Sequence, residues 1–99
     1  MNRKKTNIQI EFTGIAKKIA GKNVINLSIP ATDTYHDVVE KLAIEYPELV
    51  NILIDPDQRN FLSSNLFIIN GQMTLPVFEM EKHPVDGDRL TLVSIMTGG

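Results

Sequence analysis

The segment VDGDRLTLVSIMTGG, residues 85–99, decides how the rest of the chain must be read. Asp86-Gly87-Asp88 is a turn sequence, and RLTLVSIM after it alternates as a strand does. Leu90 and Leu92 share one face, which the alternation assigns to a core. Val93 and Ile95 fall on the opposite face, where a sheet covered on one side should be polar. Either another part of the domain covers that face, or it is a docking surface for a second protein. The strand then runs out through Met96 and Thr97 into Gly98-Gly99.

Working outward, NIQIEFT sets Ile8, Ile10 and Phe12 against Asn7, Gln9 and Glu11, the period of a half-buried strand with Phe12 toward the core. NVINLSIP repeats the pattern with Ile25, Leu27 and Ile29, and Pro30 closes it. GIAKKIAGKN between them, punctuated by Gly14 and Gly21, predicts a hairpin with a long loop. In ATDTYHDVVEKLAIEYPEL, Thr34 and Asp37 have capping-box spacing, and Tyr35, Val38, Val39, Leu42, Ala43 and Tyr46 recur at helical spacing. Pro47 ends that helix, with a short turn through PELVNIL as a possible continuation. DPDQRNFLSSN reads as loop, and NLFIING as a short apolar strand closed by an Asn70-Gly71 turn. MTLPVFEM predicts a weak edge strand, because Pro76 has no N–H to donate.

The order is therefore strand, strand, helix, strand, weak strand, strand, an α+β arrangement. With the first and last strands as central, parallel neighbours it becomes a β-grasp: a mixed sheet with one main helix packed across one face. Ninety-nine residues support one domain over 1–99, since either half would lack a workable core. Residues 96–99 are expected to form a flexible tail.

Composition narrows the functional classes. With no cysteine, disulfides, thiolate metal sites and a cysteine nucleophile are excluded. A net charge of −2 argues against a dedicated nucleic-acid binder. MNRKKTN lacks the apolar stretch of a signal peptide, no apolar run would span a bilayer, and a cytoplasmic location is the default expectation.

The internal candidates for chemistry are weak. His36 and His83 have no companions that would make them ligands or bases and read as surface residues. Asp55-Pro56-Asp57 starts like a calcium loop, but Arg59, Asn60 and Leu66 occupy positions that need an oxygen ligand, a glycine and a glutamate. Asp86 and Asp88 read as turn residues. The glycines are too scattered for a phosphate loop, and no serine lies in a GxSxG setting. Lys17, Lys18 and Lys22, with the Arg3-Lys4-Lys5 run, are either solvated charges or a basic patch for an acidic protein partner or a phosphate. No catalytic set is visible, no metal or bound cofactor is expected, and the chain is not expected to act as an enzyme alone.

That leaves the glycines. Lacking Cβ, they fit a channel too narrow for other residues. A carboxylate at Gly99 is a poor electrophile until an ATP-dependent enzyme converts it to an acyl-adenylate. An extended stalk of Met96, Thr97 and Gly98 would carry it into such a partner.

Three stretches together, ATDTYHDVVEKLAIEYPEL, LFIINGQ and VDGDRLTLVSIMTGG, resemble the MoaD/ThiS family of ubiquitin-like sulfur carriers, most nearly the small subunit of molybdopterin synthase. The resemblance implies that a ubiquitin-activating-enzyme-like adenylyltransferase uses ATP to adenylate Gly99. A sulfur donor, a sulfurtransferase or desulfurase, then converts it to a thiocarboxylate. A synthase large subunit would take up the sulfur, for molybdopterin or in a related pathway, while Met96, Thr97 and Gly98 thread into the partner's active site. The family's apolar docking positions near the tail fall on Val93, beside Ile95 on the same outer face. Its first-strand aromatic position falls on Phe12, at odds with the core position that alternation assigns. Many members carry prolines before the glycines, where this chain has Ile95-Met96-Thr97. Two other readings of the terminus stand beside the carrier: a ubiquitin-like modifier conjugated through Gly99, and a β-grasp interaction module with inert glycines.

Overall fold

In the computed structural model, which describes residues 4–57, 60–62, 65–71 and 80–94, the alternation around Ile8 becomes β1 (Lys5–Phe12), with Thr6, Ile8, Ile10 and Phe12 buried. It pairs antiparallel with β2 (Val24–Pro30) from Lys5↔Pro30 to Glu11↔Val24. The connection between them differs from the expected loop, because Gly14–Ala20 form a helix, α1. Ile15, Ala16, Ile19 and Ala20 have helical spacing, and Ala16 is buried against the core. Gly21 ends α1 in the left-handed conformation (φ 71°), where its N–H bonds to the Lys17 carbonyl at 2.9 Å. Glycine adopts that cap without the Cβ strain other residues carry.

α2 (Tyr35–Glu45) forms where the periodicity places it. Its first turn is closed by a reciprocal box: Thr34 N–H donates to Asp37 Oδ2 at 2.8 Å, and Asp37 N–H to Thr34 Oγ1 at 3.4 Å. Tyr35, Val38, Val39, Leu42 and Ala43 are buried. Pro47 fits the first position of a 3-10 turn, Pro47–Leu49, and the chain continues into buried Leu53 and Ile54. Asp55 and Asp57 spend their carboxylates on the turn itself, accepting from Asp57 N–H at 3.0 Å and from Asn60 N–H at 3.1 Å. Phe61 then meets Phe67 edge-on, centroids 4.9 Å apart.

β3 (Asn65–Ile69) and β4 (Arg89–Ser94) pair antiparallel, from Asn65↔Ser94 to Ile69↔Leu90. β4 also pairs parallel with β1, from Gln9↔Arg89 to Phe12↔Leu92, so the sheet runs β2-β1-β4-β3. The first and last strands are therefore central parallel neighbours, the β-grasp arrangement. α2 covers the face that carries Ile8, Ile10, Phe12, Phe67, Leu90 and Leu92. The expected weak strand at MTLPVFEM, residues 73–80, lies outside those described except for Met80, and the tail over 96–99 lies outside them altogether.

The DGD turn clamps this arrangement. Asp86 Oδ1 accepts from Asn7 N–H at 2.7 Å, and Gly87 N–H donates to the Asn7 carbonyl at 2.8 Å. Asp88 is 8% exposed, and its carboxylate accepts from Asn70 Nδ2 and from Val85 N–H, both at 2.9 Å. Asn70, at φ 55° in the Asn-Gly turn, returns its Oδ1 to Arg89 N–H at 2.8 Å. One carboxylate thus joins the end of β3 to the start of β4. Asp88→Ala leaves two donors without their acceptor. It is expected to lower stability by about 2–3 kcal/mol, read as a lower urea midpoint with an unchanged slope.

Asp88 also bears on Tyr35. Burial, and secondarily the negative charge of Asp88, push the Tyr35 phenol above its ordinary value of 10.0. The folded chain therefore keeps a proton that the unfolded chain releases. The stability this contributes is complete below pH 10.0 and is lost as pH rises through the higher folded value. The urea midpoint of the wild type is expected to fall over that window, and Tyr35→Phe to flatten the fall.

Candidate functional site

β4 supplies the base of the candidate site. It is hydrogen-bonded on both sides, and its last pairs, Phe12↔Leu92, Leu66↔Val93 and Asn65↔Ser94, hold it to within a few residues of Gly98-Gly99. Thr13 Oγ1 donates to the Leu92 carbonyl at 2.8 Å, tying the end of β4 to the residue before α1. On the face away from α2, Thr91 Oγ1 donates to Glu11 Oε1 at 2.8 Å. β4 is fixed before it leads into the segment that the sequence marks for chemistry.

Val93 is half-buried on that outer face, and so is Ile68 of the adjacent strand. The register pairs Ile68 with Thr91 and Leu66 with Val93, so Ile68 and Val93 lie on diagonal positions of one face. The apolar outer corner read from Val93 therefore extends onto β3. Ile95, Met96, Thr97, Gly98 and Gly99 lie outside the described residues.

Phe12 is a correction to the docking set. It is 2% exposed, on the core face, with its ring edge-on to Tyr46 at 5.4 Å. Its register partner Leu92 is fully buried. The pleat that turns Glu11 and Thr91 to the outer face turns Phe12 inward, so it presents no surface to a partner.

The remaining candidates settle as structural groups. His83 is exposed, with Nδ1 3.0 Å from the Asp33 carbonyl, and His36 is half-buried in the first turn of α2. Among the described residues no group of three or more His, Asp or Glu side chains is placed to hold a metal. No helix among them is long and apolar enough to cross a membrane. What sequence reasoning missed is α1, which brings Lys17, Lys18 and Lys22 to one exposed concavity beside Gly14, Gly21 and Asn23. The helical spacing of Ile15, Ala16, Ile19 and Ala20 was its signal.

The two assignments separate by mutation. Phe12→Ala is expected to cost about 3–5 kcal/mol through the cavity it leaves. Val93→Asn, at a half-buried position on the outer face, should cost about 1 kcal/mol or less. Chemical denaturation of both variants measures the difference.

Comparison with known proteins bears on the same elements. Among curated proteins none matches the sequence. Several solved structures share the fold. SAMP1 from Haloferax volcanii superposes with a TM-score of 0.75 at 17% identity, over 94% of this chain and 99% of that one. Urm1 from Trypanosoma brucei gives 0.71 at 22% identity, over 96% and 97%. A Pyrococcus furiosus protein named as a molybdopterin converting factor, subunit 1, gives 0.70 at 13% identity, over 92% and 99%. The sequence model of the ThiS family matches residues 10–99. That span takes in the end of β1, α2, β4 and the terminal glycines, and the chain belongs to the ThiS family.

Proposed function

We propose that the protein is a sulfur carrier that acts through Gly99. The observation that supports this most directly is the family match, which extends through β4 to Gly99. β4 is one of the two central strands of the sheet, hydrogen-bonded on both sides up to the segment that leads to Gly99.

In this reading a Gly99 carboxylate oxygen attacks the α-phosphorus of ATP held by an adenylyltransferase, and pyrophosphate leaves. A sulfur nucleophile from a donor protein then attacks the acyl carbon, the acyl–oxygen bond breaks and AMP departs. With a donor persulfide as that nucleophile the product is an acyl disulfide. A second thiol of the donor then attacks the donor-side sulfur and the S–S bond breaks. The donor is left as a disulfide and Gly99 is freed as the thiocarboxylate. The chain binds no cofactor of its own and supplies no catalytic residue. Its part is to carry the acyl group, with Gly98, Thr97 and Met96 reaching into the partner. Val93 and Ile95, continued by Ile68, would form the apolar docking face. A synthase large subunit would receive the sulfur, for a molybdopterin-type cofactor or a related pathway.

Intact-mass measurement of the protein recovered from its own cells tests the proposal. The expected species has one oxygen replaced by sulfur, mapped to Gly99 by fragmentation, and it should vanish when the adenylyltransferase is deleted. Gly99 joined to lysines of other proteins, without a thiocarboxylate form, would instead make the chain a modifier. A strain kept fully functional by a chain lacking Gly99 would exclude both.

A further inference from the structure

Among the described residues β2 pairs with β1 alone, and its other side is a sheet edge open among those residues. Two bonds set the phase of that edge. Phe12 N–H donates to the Asn23 carbonyl at 2.7 Å, and Ala31 N–H to the Lys4 carbonyl at 3.2 Å. Bonded and non-bonded pairs alternate along an antiparallel ladder. Ile25, Leu27 and Ile29 therefore turn their peptide groups toward β1, while Val24, Asn26 and Ser28 turn theirs outward. The N–H and C=O groups of those three have no hydrogen-bond partner among the described residues.

Sheet edges are commonly blunted by an inward charge, a proline or a bulge. The stretch from Val24 to Ile29 holds no charge and no proline, and its register with β1 is unbroken. Ile25 and Leu27 sit on the core face yet are only half-buried, at the rim of the apolar cluster, and Val24 on the other face is 41% exposed. A strand laid along this edge would complete the ladder and cover that rim.

Charge is distributed unevenly along the edge. At the Val24 end lies a concavity of about 560 Å³ lined by Gly14, Lys17, Lys18, Gly21, Lys22 and Asn23. The three lysines are exposed and form no ion pair among the described residues. Asp33, beyond the Pro30 end, is already bridged to Lys41 at 2.6 Å. Lys4 and Lys5 at the Pro30 end are also exposed and form no ion pair among the described residues, but they lie at the start of β1, one strand in from the edge. The three lysines at α1 are therefore the unmatched charge that flanks the edge strand itself. A second copy of this chain pairing edge to edge would not match it, because β2 contains no acidic residue.

We propose that the β2 edge is a second docking site, distinct from the outer corner around Val93. Its occupant is an extended peptide segment added as a further strand, apolar at alternate positions and acidic at the end that reaches Lys22. The apolar positions lie over Ile25 and Leu27, and the acidic end meets the α1 lysines. The proposal stands independently of the sulfur chemistry at Gly99.

Titration of the full-length, isotope-labelled protein with the synthetic peptide Val-Thr-Val-Thr-Val-Glu-Glu-Glu tests it by amide NMR. The largest shifts are expected at Val24, Asn26, Ser28 and Lys22, with hydrogen exchange at the three β2 amides slowed at least tenfold at saturation. Replacing the three glutamates by lysines, or the protein's Lys17→Glu and Lys22→Glu together, should weaken binding roughly tenfold, as should high salt. Asn26→Pro removes an outward donor but no bond to β1, and should also weaken binding. Circular dichroism that matches the wild type confirms that this variant is folded, and the lysine variants serve if it is not. Shifts centred on Val93 and Ile68, affinity indifferent to peptide charge, or no shift at millimolar peptide would each overturn the proposal. So would β2 shifts that depend on protein concentration alone, which would make the occupant a second copy of the chain.

Discussion

The parallel pairing of β1 with β4 is the constraint from which the rest of this structure follows. Parallel neighbours cannot be joined by a tight turn, so everything between them is one long crossover. β2 folds back on β1, α2 crosses the sheet, and β3 returns along the far side of β4. The faces then follow from phase. Ile10↔Leu90 and Phe12↔Leu92 meet beneath α2, and Gln9↔Arg89 and Glu11↔Thr91 meet on the other side. A slip of one residue would exchange the two sets and bury Glu11. The clamp of Asp86 and Asp88 on Asn7, Asn70 and Val85 sits where that slip would start, at the entry to β4.

Much of this was legible in the residues. Alternation located β1, β2 and β4, and α2 was marked twice, by its apolar stripe and by the Thr34/Asp37 box. The helix α1 was not read, because a helix of seven residues that begins on one glycine and is capped by another carries little periodic signal. What fixes it is docking: buried Ala16 and the Thr13–Leu92 bond hold it against strands distant in sequence. Asp88 was recognised as a turn residue, but its bond to Asn70 joins positions 18 apart, and no local pattern announces such a contact. Phe12 shows the two kinds of reading in competition. The period of β1 assigned it to the core, the likeness to a family assigned it to a surface, and the pleat decides for the core. The outer corner was half legible, since Val93 stood out against its strand while the contribution of Ile68 needed the register.

The candidate site and the core therefore share one strand. Leu90 and Leu92 hold the core, and Val93 in the same strand faces outward toward the proposed partner surface. Substitutions in β4 are accordingly difficult to interpret unless stability is measured alongside function. A lost activity from an inward position reports unfolding, and only the outward positions report recognition.

The central place of β4 also has a consequence for synthesis. Translation delivers β1, both helices, β2 and β3 before the strand that must lie between β1 and β3. Until β4 has left the ribosome, the apolar row of Ile8, Ile10 and Phe12 has β2 on one side and nothing on the other. The nascent chain thus waits with its sheet divided. Folding closes only when the segment leading to the terminal glycines has emerged, so a chain cut short before β4 lacks the central strand that its core requires.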